Sequence, residues 1–499
     1  MAAPARSGPS AAPVSADETQ FVRGIGPLAA ISLVVGSMIG SGIFIVSADI
    51  SRQVDAFGPA GLLLVWAATA VITVVGALTY AELAAMMPNA GGQYVFLREG
   101  LSPSMGFLYG WTLFTVIQSG TIAAVAVAFG RFLGVLVPSI TPEVFLDLGS
   151  FAMPGGRIQL GLSPQRVVAI VMVAVLTAVN IRGVRLGAAI QTSFTVAKVG
   201  ALTALILLGL TIFRRPDVAA ANFGAFWGTG DWGLAMVPVL GAAMVGSLFS
   251  SDAWNNVTFA AAEVRDPKRN LPLALAVGTG FVGLVYVITN VAYLNVLPFW
   301  GGEGGADVLA RGIQHATQDR VGTAAMESMI GPIGATLMAV AILVSTFGCN
   351  NGLILAGARV YYAMARDALF FRRAGTLHPT FRTPVFALIA QGIWTMVLCV
   401  SGTYGELLNY VVFAALVFYA LTALALFRLR RIRPDVPRPV KAFGYPVLPG
   451  VYIAATAFIL VVLLVDPQQR LYSGLGLLLV LLGVPVYWLW RRAAGQPAR

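Results

Sequence analysis

Twelve stretches of this chain stay apolar for 18 residues or more, and that repetition leaves few folds open. They run over 27–48, 59–84, 104–137, 164–182, 187–213, 234–260, 271–298, 332–366, 384–401, 405–428, 446–466 and 471–491. A helix needs about 20 mostly apolar residues to cross a bilayer. In lipid every backbone polar group must be satisfied within the chain, so spanning segments are helices or closed barrels. The pattern predicts an all-α polytopic membrane protein with 12 transmembrane helices, the long third and eighth tilted. A mean hydropathy of +0.82 and 11% charged residues agree with this, since soluble domains carry about 25% charged residues.

The net charge of +11 does not call for nucleic acid, because its placement follows the bilayer. If the N-terminus is cytoplasmic, 22 of the 32 Lys and Arg residues fall on that side and 9 on the other, with Lys198 left inside a span. This bias is the positive-inside rule. It predicts an inner (plasma) membrane protein with both termini cytoplasmic. Residues 1–23 read as a disordered N-terminal tail and 492–499 as a short C-terminal one, with no signal peptide. Cys349 and Cys399 fall inside apolar segments, and no Cys–His cluster has metal-ligand spacing. No metal or cofactor is expected.

Lys198 lies near the middle of the fifth span, LGAAIQTSFTVAKVGALTALILLGLTIF. A charge at that depth costs roughly 3 kcal/mol on insertion scales, so it needs a partner or a purpose. Two other spans are interrupted. The first holds GSMIGSG (36–42) and the sixth FSSDAWNN (249–256). They stand at equivalent places in two groups of five helices. Five is odd, so the second group enters the membrane from the opposite side. Paired interruptions in inverted halves point to a transporter site. The expected units are a first repeat over 24–213, a second over 234–430, and two further helices over 446–491.

A broken helix exposes free N–H groups at the start of its second half, with positive dipole character, and unpaired carbonyls at the end of its first. Gly40, Ser41 and Gly42 would offer N–H groups to a carboxylate, and glycine allows its close approach. Carbonyls near Gly36 and Ser37 suit an ammonium group. The plainer reading of Gly36 and Gly40 is close helix packing. In the sixth span, Ser250, Ser251, Asp252 and Asn255 would unwind the helix and present carbonyls to a substrate amine. Phe249 reads either as a lid over that site or as an ordinary apolar contact. Asp252 reads as a partner for a cationic substrate, a helix N-cap or another hydrogen-bonding group. Lys198 has three readings: a fixed cation where related architectures hold sodium, a proton carrier, or a structural tie. Its expected partners are first-span carbonyls together with Ser345 and Thr346. Asn350 and Asn351 in STFGCNNG (345–352) either line the pathway or glue helices together.

These residues resemble the amino acid–polyamine–organocation superfamily, and within it most closely the L-type amino acid transporter group. VGSMIGSGIF (35–44), GGQYVFLREGLSPSMGFLYGW (91–111), FTVAKVGAL (194–202), DAWNNVTFAAAEVRDPKRNLP (252–272), STFGCNNG with GARVYYAMARD (357–367), and HPTFRTPVFAL (378–388) carry the likeness. It implies a five-plus-five inverted repeat of the LeuT-like fold and sodium-independent alternating-access movement of amino acids, commonly by exchange. The resemblance assigns the carboxylate to Ser41 and Gly42, beside Ile39 and Gly40. It assigns the amine to carbonyls around Met38, Phe249 and Ser250, and the gate to Phe249. The lysine that replaces sodium becomes Lys198, bridging Gly36 and Ser345. Members with a glycoprotein partner carry a cysteine after the third helix. Residues 138–163 contain none, so no disulfide-linked heavy chain is expected. Members that carry anionic substrates have an arginine where Gln118 stands, which argues against an acidic substrate. Asp252 matches an acid of some members that accept cationic amino acids. Ser250 and Ser251 replace bulkier residues in the pocket.

The expectation is therefore a permease or exchanger of L-amino acids, mainly neutral with cationic ones accepted, and not an enzyme. Its expected surroundings are the small-molecule substrate and the lipid bilayer. Rival readings are a proton-coupled importer and an amino acid sensor that binds without transporting.

Overall fold

The computed structural model describes residues 21, 23–153, 156–401, 404–467 and 469–493. Most of both predicted tails, 1–20, 22 and 494–499, lies outside the described residues. Among the described residues, nine helices are long and apolar enough to cross a membrane. Three shorter apolar helices, Pro27–Met38, Met236–Ser250 and Val385–Ser401, occupy the first, sixth and ninth spans. Two of these are short because their spans are broken. The protein is a multi-pass helical membrane protein.

The first span runs as Pro27–Met38, leaves helical geometry at Ile39, makes a 3-10 turn over Gly42–Phe44 and resumes as Val46–Gln53. The sixth runs as Met236–Ser250, breaks, and resumes as the single turn Asn256–Phe259. Within the second break Ala253 holds φ 65, a left-handed conformation unusual for a residue with a side chain. Hydroxyls help to end this helix. Ser247 and Ser250 donate back to the carbonyls of Met244 and Gly246, an alternative to continued helical pairing that short polar side chains supply.

The main packing contacts survive the exchange of each span for the one five positions later. The second span packs on the seventh, the third on the eighth and the fourth on the ninth. The first meets the seventh as the sixth meets the second, and the first meets the fifth as the sixth meets the tenth. The third meets the tenth as the eighth meets the fifth. This is the contact pattern of two five-helix units of like fold. The eleventh and twelfth helices, Val447–Val465 and Arg470–Ala493, pack outside it. The third span contains a π-helical stretch, Leu113–Ile117, immediately before Gln118. Between the third and fourth spans the chain forms an antiparallel hairpin of Leu146–Met153 and Gly156–Leu162.

On the near face, which carries Gly24, the N–H groups of Gly24 and Ile25 donate to the Glu263 carbonyl at 3.0 Å. The Glu263 carboxylate takes Arg359 Nε at 2.8 Å, with both side chains 2% exposed. Removing one member of a buried pair strands the other and costs about 3–5 kcal/mol. Arg359→Ala is therefore expected to lower the thermal unfolding midpoint in detergent far more than Arg433→Ala, whose side chain is 43% exposed. Equal shifts would speak against a structural role for the buried pair.

Candidate functional site

The two breaks touch at mid-depth. A Cβ added to Gly42 would lie 2.0 Å from Ser250 Oγ and 3.0 Å from its Cα. The Tyr286 hydroxyl, from the seventh span, lies 3.0 Å from the Met38 carbonyl and 3.1 Å from that of Ser250. One side chain therefore ties the end of the first half-helix in each broken span.

The N–H groups of Ser41, Gly42 and Ile43 take no protein acceptor among the described residues. They are consecutive and buried, and they open the 3-10 turn over Gly42–Phe44. Buried backbone donors are almost always paired. Three in a row at the start of a helical segment present positive dipole character to whatever lies beside them. The Ser41 hydroxyl reaches Tyr404 Oη at 3.5 Å.

The carbonyls at the other side of the break are engaged. Lys198 Nζ donates to Gly36 O at 2.8 Å and to Ile39 O at 2.7 Å, and the side chain is 1% exposed. Hydrogen bonds to a charged group contribute about 1.5–3 kcal/mol each. Two of them offset the roughly 3 kcal/mol cost of placing the charge at that depth. The Ser345 hydroxyl adds bonds of 3.2 Å to Ile39 O and Gly40 O, and Cys349 Sγ reaches Ser37 O at 3.1 Å. Lysine and Ser345 thus meet at the Ile39 carbonyl instead of touching each other. Thr346 turns back to Ile342 and Leu343 on its own helix.

Phe249 is buried and meets the Tyr404 ring edge-on at 5.8 Å. Above it the Arg131 guanidinium lies 5.5 Å from the Tyr404 ring centre and donates to Gln318 O at 3.1 Å. Asp319 sits 4.0 Å from Arg131 and pairs with Arg52 at 2.8 Å. These groups form one cluster on the far face. On the near side a narrow cavity is lined by Gln118, Tyr109, Asp252, Asn255, Gln93 and Tyr419. Asp252 accepts a hydrogen bond from Tyr419, and the N-cap position of the short helix that follows belongs to Asn255. Of the readings open for Asp252, the structure displays a hydrogen-bonding one and not the cap. Ser251 faces a second cavity that shares Asp252 and Tyr419. Gln118 donates to Leu353 O at 2.7 Å. Asn255 donates to Gln93, which in turn donates to Thr422.

Asn350 and Asn351 do not line the cavity. Asn350 donates to Ile122 O, and Asn351 accepts from Asn180. They join the third, fourth and eighth spans. Tyr286, Tyr404, Tyr419 and Gln93 were absent from the sequence reading. Their signal is a phenol or amide inside a span or beside one, where an apolar body with a polar tip needs a partner.

Two facing helix breaks at the core of an inverted repeat define a secondary transporter. Residues 25–485 match the amino acid permease family model. The chain is 32% identical to the large neutral amino acids transporter small subunit 2 of Homo sapiens over 473 residues, 93% of this chain and 80% of that one. It is 29% identical to the b(0,+)-type amino acid transporter 1 of Mus musculus over 480 residues, 95% of this chain and 88% of that one. The chain belongs to the amino acid permease family of the amino acid–polyamine–organocation superfamily. It is an amino acid transporter and not an enzyme.

Gly42→Ala is expected to cut transport at least about tenfold, the effect of roughly 1.4 kcal/mol, because its methyl group fills the contact between the breaks. Uptake into proteoliposomes checks this, with size-exclusion chromatography reporting folding. Wild-type uptake by well-folded variant protein would argue against the contact.

Proposed function

We propose that this chain exchanges L-amino acids across the plasma (inner) membrane without sodium. It takes mainly neutral substrates and accepts cationic ones, by alternating access at the two breaks. The observation that carries this reading is the trio of unpartnered N–H groups at Ser41, Gly42 and Ile43. They fit an α-carboxylate, with Gly40 and Ile39 shaping the approach. The α-ammonium would exchange with the Tyr286 hydroxyl at the carbonyls of Met38 and Ser250, beside that of Phe249. Phe249, edge-on to Tyr404, is the gate.

Lys198 supports sodium independence. Its ammonium already supplies a cation to Gly36 O and Ile39 O, with Ser345 completing the tie. Substrate-driven movement of the first break would then shift Lys198 and the fifth and eighth spans together. Gln118 and Asp252 face one cavity and present an amide and a carboxyl group to the substrate side chain. An acidic side chain would meet no cation among the cavity's described lining residues. A cationic one would meet Asp252. The loop charge bias supports cytoplasmic termini. The packing exchange supports repeats over 24–213 and 234–430, with 446–491 outside them. Both cysteines, Cys349 and Cys399, are buried, which supports transport without a disulfide-linked heavy chain.

The test is counterflow in proteoliposomes with sodium-free buffer. Labelled neutral amino acid should enter vesicles loaded with unlabelled substrate and not empty ones, with no response to added sodium. Accumulation in empty vesicles under a pH gradient alone would replace exchange by proton coupling through Lys198. Substrate binding without any flux would mark a sensor. Lys198→Ala should lower exchange about tenfold or more, on the scale of one lost charge-assisted bond. Unchanged kinetics would remove the lysine from the coupling.

Asp252→Asn separates side-chain recognition from zwitterion recognition. Inhibition of uptake by lysine or arginine should weaken about tenfold, equivalent to roughly 1.4 kcal/mol, while inhibition by leucine stays within twofold. Equal loss for both classes would place Asp252 in the framework of the break.

A further inference from the structure

On the near face a groove runs between the second span, the start of the seventh and the loop before the eleventh. Leu78, Leu273, Val440 and Phe443 form its apolar walls, and Arg269 and Lys441 stand in the same lining. Both cations are exposed, and neither side chain makes an ion pair or hydrogen bond among the described residues. Glu82, a carboxylate beneath this loop, is fully occupied. It takes Arg430 at 2.5 Å, Arg438 at 3.1 Å and the Ala442 N–H at 2.7 Å. Those bonds fix the loop one residue from Lys441, so that cation is held in place without being neutralised.

The apolar part of the groove continues into the membrane. Leu273, Val277, Phe281 and Leu284 form an outward stripe on the seventh span, each at least 40% exposed. Val447 and Val451 face outward on the eleventh. Phe443 is 69% exposed at the groove's mouth. Two uncompensated cations at the end of an apolar channel match one kind of molecule in charge and in shape.

We propose that this groove binds an anionic phospholipid, with its phosphate between Arg269 and Lys441 and an acyl chain along Leu273 and Phe443. A cation near an anionic membrane surface is attracted to it. Two cations fixed on one headgroup therefore favour it over a zwitterionic lipid, whose own ammonium compensates its phosphate. Free phosphate would use the cations and leave the apolar walls uncovered. The occupied helix is the one whose Tyr286 joins the two breaks. The inference is independent of substrate and coupling mode.

The full chain in neutral detergent is titrated with phosphatidylglycerol, phosphatidylcholine or inorganic phosphate. Native mass spectrometry reads lipid occupancy and the thermal midpoint reads stabilisation. Phosphatidylglycerol is expected to bind and raise the midpoint, with phosphatidylcholine and phosphate giving little. The double variant Arg269→Gln/Lys441→Gln should lose about tenfold or more in phosphatidylglycerol affinity, the equivalent of roughly 1.4 kcal/mol. Phe443→Ser should weaken phosphatidylglycerol binding, as an acyl-chain contact requires. The double variant Arg372→Gln/Arg373→Gln, on another exposed basic pair of the same face, should bind like wild type. Equal loss in both double variants would reduce the site to a diffuse basic surface and overturn the proposal. So would wild-type binding by the groove variant, or an equal midpoint shift with phosphate alone.

Discussion

An interrupted helix in a lipid-surrounded core cannot leave its backbone to water, and the structure is organised around that constraint. At the first break, carbonyls of Gly36, Ile39 and Gly40 are taken by Lys198 and Ser345, and that of Met38 by Tyr286. The donors just beyond, on Ser41, Gly42 and Ile43, have no protein partner among the described residues. The break is therefore satisfied on its acceptor side and open on its donor side. That asymmetry leaves three consecutive buried donors at the start of the 3-10 turn. It also explains why a lysine, whose burial alone is unfavourable, belongs in the fifth span.

The sixth break is arranged differently. Its carbonyl at Ser250 is held by Tyr286 and its Asp252 by Tyr419. Tyrosines from the seventh and tenth spans thus supply the donors for these polar groups. A phenol suits this work because its apolar body packs in the core while one hydroxyl serves as the polar tip. Its single proton makes each tie replaceable by a stronger donor such as an ammonium group.

Much of this was legible in the chain. Hydrophobic runs set the spans, and GSMIGSG and FSSDAWNN marked the interruptions, because glycine and short polar residues stand out in otherwise apolar helices. Lys198 was conspicuous for the same reason, and its bonds to Gly36 and Ile39 follow from a lone cation needing carbonyls. Tyr286, Tyr404 and Tyr419 were not legible. An aromatic residue in a span reads as apolar filling until the opposing helix is known, and their partners lie 36 to 363 residues away. For Asn350 and Asn351 two readings stood open, and the structure displays the one that joins helices. Their polarity stands out as strongly as that of Ser345, but five and six residues further on they leave its face of the helix and meet the third and fourth spans. The hairpin over 146–162 was missed because its short strands lie in a segment too polar for membrane reading and too brief for a strong alternating pattern.

The two faces are sealed by interactions of different strength. On the far face, Arg52 and Asp319 pair while 35% and 33% exposed, and Arg131 stands 4.0 Å from the same carboxylate. Exposed pairs of this kind contribute about 0.2–1 kcal/mol each. The near face closes on Glu263 and Arg359, both 2% exposed, with Gly24 and Ile25 bonded to the same residue's carbonyl. Separating that pair without hydrating it costs several times more. Separating the near-face pair would therefore have to admit water to Glu263 and Arg359, whereas the far-face groups are already in contact with solvent. Glu263 follows the sixth break directly and Arg359 lies on the eighth span with Ser345, so the buried ion pair joins the sixth span to the eighth. The Lys198 tie joins the first span to the fifth, and Ser345 adds the eighth at the same Ile39 carbonyl.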